Sequence, residues 1–363
     1  KDGGGGYYTV KPGTPTLQQI GRIGGAGDRI KGILSGLYLA MCTNRTYLVS
    51  VPWKPPLETY LKPGLIPFAP RHHVDVHKNN VTTILVGRGD MFRSHPALHL
   101  PAHEKDLLVK SPNMYKEHEL FTHGQCTQRL MKEAAWRRGQ DPGEFQPPDH
   151  RTLFYHLFWT LFTFSPALED RAKVMKQAAG ITTTTTTTTS DNDNNKNGQD
   201  HYIGVHIRTG DSHFGVKNVR NAFDHTTVTA FYQCAARFQT GLGQCLRRHD
   251  PHKKLSIYIA SDNPATKQEF VQNDPTSIRQ MADMEIFHVD RSHAHDSQDP
   301  DQAAMDVWAE MKVLMDATCV VYSRSGYSEI AAWAGSLPRC AVLYNECTDA
   351  AVSEALGNIG CDG

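Results

Sequence analysis

The chain has 363 residues, 39% of them hydrophobic, enough for sizeable cores, and domains of about 100–200 residues make two domains the first expectation. Its 38 basic residues balance its 38 acidic ones, so no charge excess points to nucleic acid or an anionic membrane surface as a partner. No apolar run approaches the roughly 20 residues of a membrane span; the chain starts at Lys1, not Met, and the glycines at 3–6 suit a flexible link to an N-terminal anchor or signal ahead of it.

In chain order, the first clear signal is a glycine cluster at 21–27 followed by Ile30, Ile33, Leu34, Leu37 and Met41 at helical spacing. The stretch before it makes a poor strand. Gly25-Ala26-Gly27 lacks the third glycine of a dinucleotide fingerprint, so NAD binding is not expected. Strands are expected at 46–51, 82–86 and 107–110, then a helical stretch at 153–178 interrupted near Pro166. Residues 1–176 are read as an N-terminal α/β domain. The threonine run at 182–189 and the polar stretch after it have no apolar periodicity, so 177–201 reads as a low-complexity linker or surface insertion.

Residues 202–363 alternate more regularly. Strands are expected at 202–208, 255–260, 285–289, 319–323 and 340–344, with helices at 226–245, 264–272, 302–317 and 326–334. That alternation predicts a doubly wound parallel sheet, whose ligands sit beyond the carboxyl ends of its strands.

The eight cysteines form no CxxC pair, which excludes a zinc ribbon. Their even number permits disulfides, and Cys42 and Cys319, set in apolar elements, read as buried thiols. The sequons Asn44-Arg45-Thr46 and Asn80-Val81-Thr82 fit a secretory route. His72, His73 and His77, and His293, His295 and Asp296, lack a further ligand at fixed spacing, so no metal site is expected there.

Three strand ends in the second half carry chemistry. In 202–208, Ile203, Val205 and Ile207 share one face, while His206 and Arg208 share the other at the carboxyl end. An arginine fork makes two charge-assisted hydrogen bonds to a diphosphate, and Asp211 is placed to orient it. The strand 255–260 runs into Asp262. The strand 319–323 ends in Ser323-Arg324-Ser325-Gly326 before a helix, a natural phosphate site. On helix 302–317, Ala304, Val307, Trp308, Met311, Leu314 and Met315 form the apolar stripe, and Asp306 and Glu310 lie four apart on another. A carboxylate there suits the N–H edge of guanine. Singly these features read as a surface ion pair, a turn, an N-cap and a solvated face; their convergence in one half favours a nucleotide site.

Together these segments resemble the GDP-fucose-dependent fucosyltransferases, the superfamily of the xyloglucan, nodulation, core α1,6 and protein O-fucosyltransferases. Gly24-Gly25-Ala26-Gly27-Asp28-Arg29 is similar to their N-terminal GGxGNR motif, with Asp28 where Asn is usual. His206-Ile207-Arg208-Thr209-Gly210-Asp211 resembles H-x-R-x-x-D, Ser261-Asp262 the strand-ending SD motif, and Trp308–Met311 with Ser323–Glu329 the last motif. The resemblance implies a GT-B fold of two doubly wound Rossmann-like domains facing a cleft, with the donor held mainly by the C-terminal one. It implies transfer of fucose from GDP-fucose to a glycan or glycoprotein acceptor with inversion, no metal, and a Golgi or secretory-pathway lumen location. Carried over by motif, Arg208 holds the diphosphate, His206 contacts the nucleotide, and Asp262 and Glu310 lie near the nucleoside. Ser323, Ser325 and Gly326 meet phosphate, with Gly25, Gly27, Asp28 and Arg29 on the donor side of the N-terminal loop. Asp211 and His213 are the candidates for general base. Two other readings share the motifs: an inactive sugar-nucleotide or glycan-binding protein of this fold, and a transferase for another nucleotide sugar.

Overall fold

The computed structural model describes residues 16–20, 26–42, 46–50, 56–65, 81–85, 106–110, 150–181, 201–209, 225–248, 255–280, 299–335 and 340–361. The expected strand at 285–289, the low-complexity stretch 182–200 and both histidine clusters lie outside the described residues. The chain divides into two compact units, Lys1–Thr163 and Phe164–Gly363.

The first unit carries β1 (Thr16–Ile20), α1 (Ala26–Cys42), β2 (Thr46–Ser50), β3 (Leu61–Pro63), β4 (Val81–Leu85), β5 (Asp106–Lys110), α2 (His150–Leu161) and β6 (Phe162–Phe164). Four strands form a parallel sheet in the order β2-β1-β5-β4. The weak-looking segment before the glycine cluster is thus a strand, β1, paired on both sides. α1 buries Ile30, Ile33, Leu34 and Leu37, as their spacing requires, whereas Met41 is 42% exposed. The Tyr47 hydroxyl of β2 donates to the Ile33 carbonyl at 2.7 Å, pinning helix to strand. β3 pairs with β6.

The second unit opens with α3 (Pro166–Ala178), where Ser165 accepts from the Leu168 N–H and Pro166 takes the first turn. That cap breaks the helical stretch 153–178 where proline predicts it. α3 packs on the helix Pro300–Met315, so it belongs with the second unit although the sequence pattern grouped it with residues 1–176. Then follow β7 (Tyr202–Ile207), α4 (His225–Arg247), β8 (Ser256–Ser261), α5 (Pro264–Asn273), β9 (Ile278–Arg279), α6 (Pro300–Met315), β10 (Cys319–Tyr322), α7 (Gly326–Ala334), β11 (Cys340–Leu343) and α8 (Asp349–Gly357). The five strands are parallel, in the order β11-β10-β7-β8-β9.

β7 is buried along its whole length, as a central parallel strand covered on both faces must be. Ile203, Val205 and Ile207 pack with Ile257, Ile259 and Val321 against Phe231, Phe238 and Phe270. Tyr202, Gly204 and His206 turn to the opposite face, under α6 and α7. There the Tyr202 hydroxyl donates to the Val313 carbonyl at 2.5 Å. A Cβ on Gly204 would meet Ala317 Cβ at 3.0 Å and Leu314 Cδ2 at 3.2 Å, so glycine lets α6 approach the sheet.

Cys234–Cys347 and Cys245–Cys361 tie the segments flanking α8 to α4, and Cys319–Cys340 joins β10 to β11. Cys319 is therefore not the buried thiol its apolar setting suggested: it stands opposite Cys340 in the strand register, with Cα atoms 4.5 Å apart. The Cys42 side chain lies outside the described residues.

Candidate nucleotide-binding site

The strand order creates the site. From β7 the chain winds outward through β8 and β9, then returns to β7's other flank as β10 and continues to β11. The order reverses between β7 and β10, and a doubly wound sheet opens a crevice at the carboxyl ends there. His206 lies in the last two residues of β7 and Arg208 just follows it; Ser323, Ser325 and Gly326 follow β10. The Ser323 N–H donates to the His206 carbonyl at 3.2 Å, and the Arg208 N–H donates to Ser323 Oγ at 3.1 Å, so the two strand ends are tied together.

Arg208 is anchored by Asp262. Its NH1 lies 2.7 Å from Asp262 Oδ2, an ion pair in which Oδ2 takes no hydrogen bond among the described residues, while Asp262 Oδ1 accepts from the Thr209 N–H at 2.8 Å and from Thr209 Oγ1 at 3.0 Å. The Arg208 side chain is 26% exposed and that of Asp262 only 8%: a buried carboxylate holds a guanidinium that reaches the surface. Asp262, which the resemblance set near the nucleoside, thus pairs with Arg208; Asp211, to which the local pattern gave the task of orienting the fork, lies outside the described residues.

α7 begins beside this pair. Ser325 caps it, accepting from the Ser328 N–H at 3.1 Å, and the first-turn N–H groups have no acceptor within the helix. Ser328 is fully buried, and its Oγ lies 2.7 Å from His206 Nδ1 and 2.5 Å from Ser325 Oγ. The His206 ring rests against Tyr327, 4.9 Å between centroids. Burial, then the charges of Arg208 and Lys267, push His206 down to about 3, so the ring is neutral at pH 7.

The two carboxylates on α6 have separate fates. Asp306 is gripped by Arg171 of α3, Nε–Oδ1 2.7 Å and NH2–Oδ2 2.9 Å, and takes a third bond from Gln302 Nε2 at 2.7 Å. Glu310 is buried with long contacts, 3.5 Å to Lys267 Nζ and 3.4 Å to the Tyr258 hydroxyl. Burial pushes its carboxyl up against the opposing pull of Lys267. Along the helix Ala304, Trp308, Met311, Leu314 and Met315 are buried as expected, while Val307 is only partly so.

The structure therefore gathers His206, Arg208, Asp262, Ser323, Ser325 and Gly326 at one end of the sheet. Gly27 and Arg29 lie in the first turn of α1 in the other unit. Gly25, Asp211, His213 and the Asp28 side chain lie outside the described residues. Thr209 and Ser328 stand inside the quoted motifs but had no role assigned from the sequence, and Lys267 was not singled out. Nothing in the local pattern marks Ser328 as buried under the strand end, and Lys267 sits on a helix of low amphipathicity with no pattern that singles it out. Among the described residues no cluster of three or more metal-ligating side chains occurs, and no helix is long and apolar enough to cross a membrane.

No protein-family model matches the sequence, and no curated protein matches it. Solved structures do. An arginine-to-lysine mutant of Arabidopsis thaliana FUT1 in complex with GDP matches with a TM-score of 0.53 at 14% identity, over 89% of this chain and 69% of that one. The chain shares that structure's fold, which is GT-B. Fucosyltransferase NodZ from Bradyrhizobium matches at TM-score 0.44 and 12% identity, over 88% of this chain and 93% of that one. POFUT1 in complex with GDP-fucose matches at 0.35 and 13%, over 92% and 98%. At 14% identity the likeness to the FUT1 mutant is one of fold.

Proposed function

We propose that this chain is a glycosyltransferase that transfers fucose from GDP-fucose to a glycan or glycoprotein acceptor with inversion. The observation that carries the reading is Arg208, fixed by Asp262 at 2.7 Å and set beside the N-terminus of α7 at the point where the strand order reverses. A diphosphate placed there meets a guanidinium, the Ser325 hydroxyl and the first N–H groups of a helix. The GDP bound to the FUT1 mutant of the same fold is in keeping with that ligand.

As the bond between fucose C1 and the β-phosphate oxygen breaks, negative charge grows on the departing diphosphate. Preorganised donors at that position lower the barrier without further rearrangement. Inversion calls for direct attack of the acceptor hydroxyl on C1, with its proton passing to a base; Asp211 and His213, just beyond β7, are the candidates. Arg208 and the helix terminus supply the positive potential, so donor binding should survive EDTA. The three disulfides among the described residues and the two sequons suit an oxidising lumen of the secretory pathway.

A thermal-shift panel followed by turnover on a glycan array tests this. GDP should raise the melting temperature, and UDP and NAD should not; GDP-fucose with the right acceptor should release GDP. Stabilisation by UDP alone would redirect the donor assignment. GDP binding without GDP release across a broad acceptor set would make the chain a binding protein.

A further inference from the structure

The buried polar atoms behind the anion site form a directional chain. His206 Nδ1 lies 2.7 Å from Ser328 Oγ, which lies 2.5 Å from Ser325 Oγ and 3.3 Å from Ser323 Oγ. His206 is 5% exposed and Ser328 wholly buried, so water cannot substitute freely for any link. The imidazole is neutral and carries one N–H. Each hydroxyl has one proton to give, so the placement of the imidazole proton sets the direction of every bond.

With that proton on Nε2, Nδ1 must accept. Ser328 then donates to His206, and Ser325 donates to Ser328. The Ser325 hydroxyl is left with lone pairs only, the wrong face to present to an anion. With the proton on Nδ1 the chain reverses. His206 donates to Ser328, Ser328 donates to Ser325, and the Ser325 proton is left for an outside acceptor. Ser328 Oγ still makes its full set of bonds, accepting from His206 and from Ser323 while donating to Ser325.

We propose that His206 and Ser328 are positioning residues: with the imidazole proton on Nδ1 they turn the Ser325 hydroxyl outward as a donor to the diphosphate of the bound nucleotide. This rests on the reading of the α7 N-terminus and Arg208 as the diphosphate site. It gives His206 a task that needs no direct contact with the phosphates. Donors lined up behind Ser325 also polarise its hydroxyl toward the anion.

Two measurements test it. In histidine-labelled wild-type protein with GDP bound, imidazole 15N–1H correlation should show His206 protonated at Nδ1; protonation at Nε2 would overturn the proposal without any mutant. The second is a double-mutant cycle read by calorimetry with GDP and with guanosine. Ser325→Ala should weaken GDP about tenfold, the scale of a hydrogen bond to a charged group, and Ser328→Ala about threefold to fivefold. The double variant should bind GDP like Ser325→Ala, because Ser328 acts through Ser325. Guanosine, which lacks the phosphates, should bind all three variants within about twofold of wild type. Additive losses for GDP, equal losses for guanosine, or a Ser328→Ala variant that binds GDP like wild type would each overturn the relay. If wild-type protein did not bind GDP at all, the diphosphate reading beneath it would fall first. A relay that fails while Arg208→Ala still abolishes GDP binding leaves that reading standing.

Discussion

Two arginine–aspartate pairs in the second unit look nearly alike. Arg171 meets Asp306 at 2.7 Å with side chains 31% and 15% exposed; Arg208 meets Asp262 at 2.7 Å with side chains 26% and 8% exposed. Distance and burial do not separate them. Hydrogen-bond alignment and placement do: Asp306 takes two hydrogen bonds from Arg171, whereas Asp262 Oδ2 takes none among the described residues. Arg171 joins two helices, α3 and α6, and both of its bonds run in one fork into Asp306. Arg208 leaves the carboxyl end of the central strand, where the sheet reverses its winding and a helix begins. An ion pair is an ordinary structural device; it becomes a candidate for chemistry where the topology opens a crevice beside it.

The sharpest way to break that distinction is Arg208→Ala. Turnover should fall by about 10²-fold or more, the scale of losing one transition-state charge donor. Arg208→Lys should recover little, since an ammonium offers a point charge and not a fork. The chain should still fold, because Asp262 keeps both of its bonds from Thr209. Near-normal turnover at unchanged thermal stability would return Arg208 to the same class as Arg171.

A smaller effect separates the two corners by pH. Among the described residues only the Arg208 corner has a buried imidazole packed against it, His206, held near 3 in the fold against 6.5 in the unfolded chain. A depressed pKa means that the unfolded chain takes up the proton first. Stability is then complete above about pH 6.5 and is lost as pH falls toward 3, amounting to about 2 kcal/mol by pH 5. Urea titrations at pH 7 and pH 5 should show this loss in wild type and its absence in His206→Asn. Arg208→Ala should shrink it, because one of the charges that depress His206 is gone; Arg171→Ala should leave it unchanged. Identical pH slopes in wild type and His206→Asn would remove His206 as the source.

The smallest effect belongs to the structural pair. Arg171→Ala leaves a half-buried carboxylate with Gln302 alone and should cost about 1–2 kcal/mol of stability, with turnover within about twofold of wild type. A turnover loss approaching that of Arg208→Ala would show that α3 and α6 hold the site in shape more directly than their position suggests.

Much of this was legible in the residues. Strand ends at Ile207, Ser261 and Tyr322 fall within a residue or so of the pattern's limits, and α7 spans the expected 326–334. The reason is local: alternation sets the strands, and Ser325 and Asn263 cap the helices that follow. Misses have local causes too. β1 is TLQQI, whose paired glutamines hide a strand that sits inside its sheet. β9 has only two residues, and α8 is a nine-residue helix announced by little more than its Thr348 cap.

The sequence by itself determined that polar side chains stand at the carboxyl ends of buried parallel strands, because side-chain alternation and capping are short-range properties of the chain. Only the tertiary structure decided that β10 lies against β7. It also brought Asp262 to Arg208 and Thr209, set Asp306 against Arg171, and placed Ser328 under His206, 122 residues away in the chain. Periodicity reports which face of an element is buried; which neighbour buries it is set by how strands are ordered and helices packed, and that order turned three separate strand ends into one site.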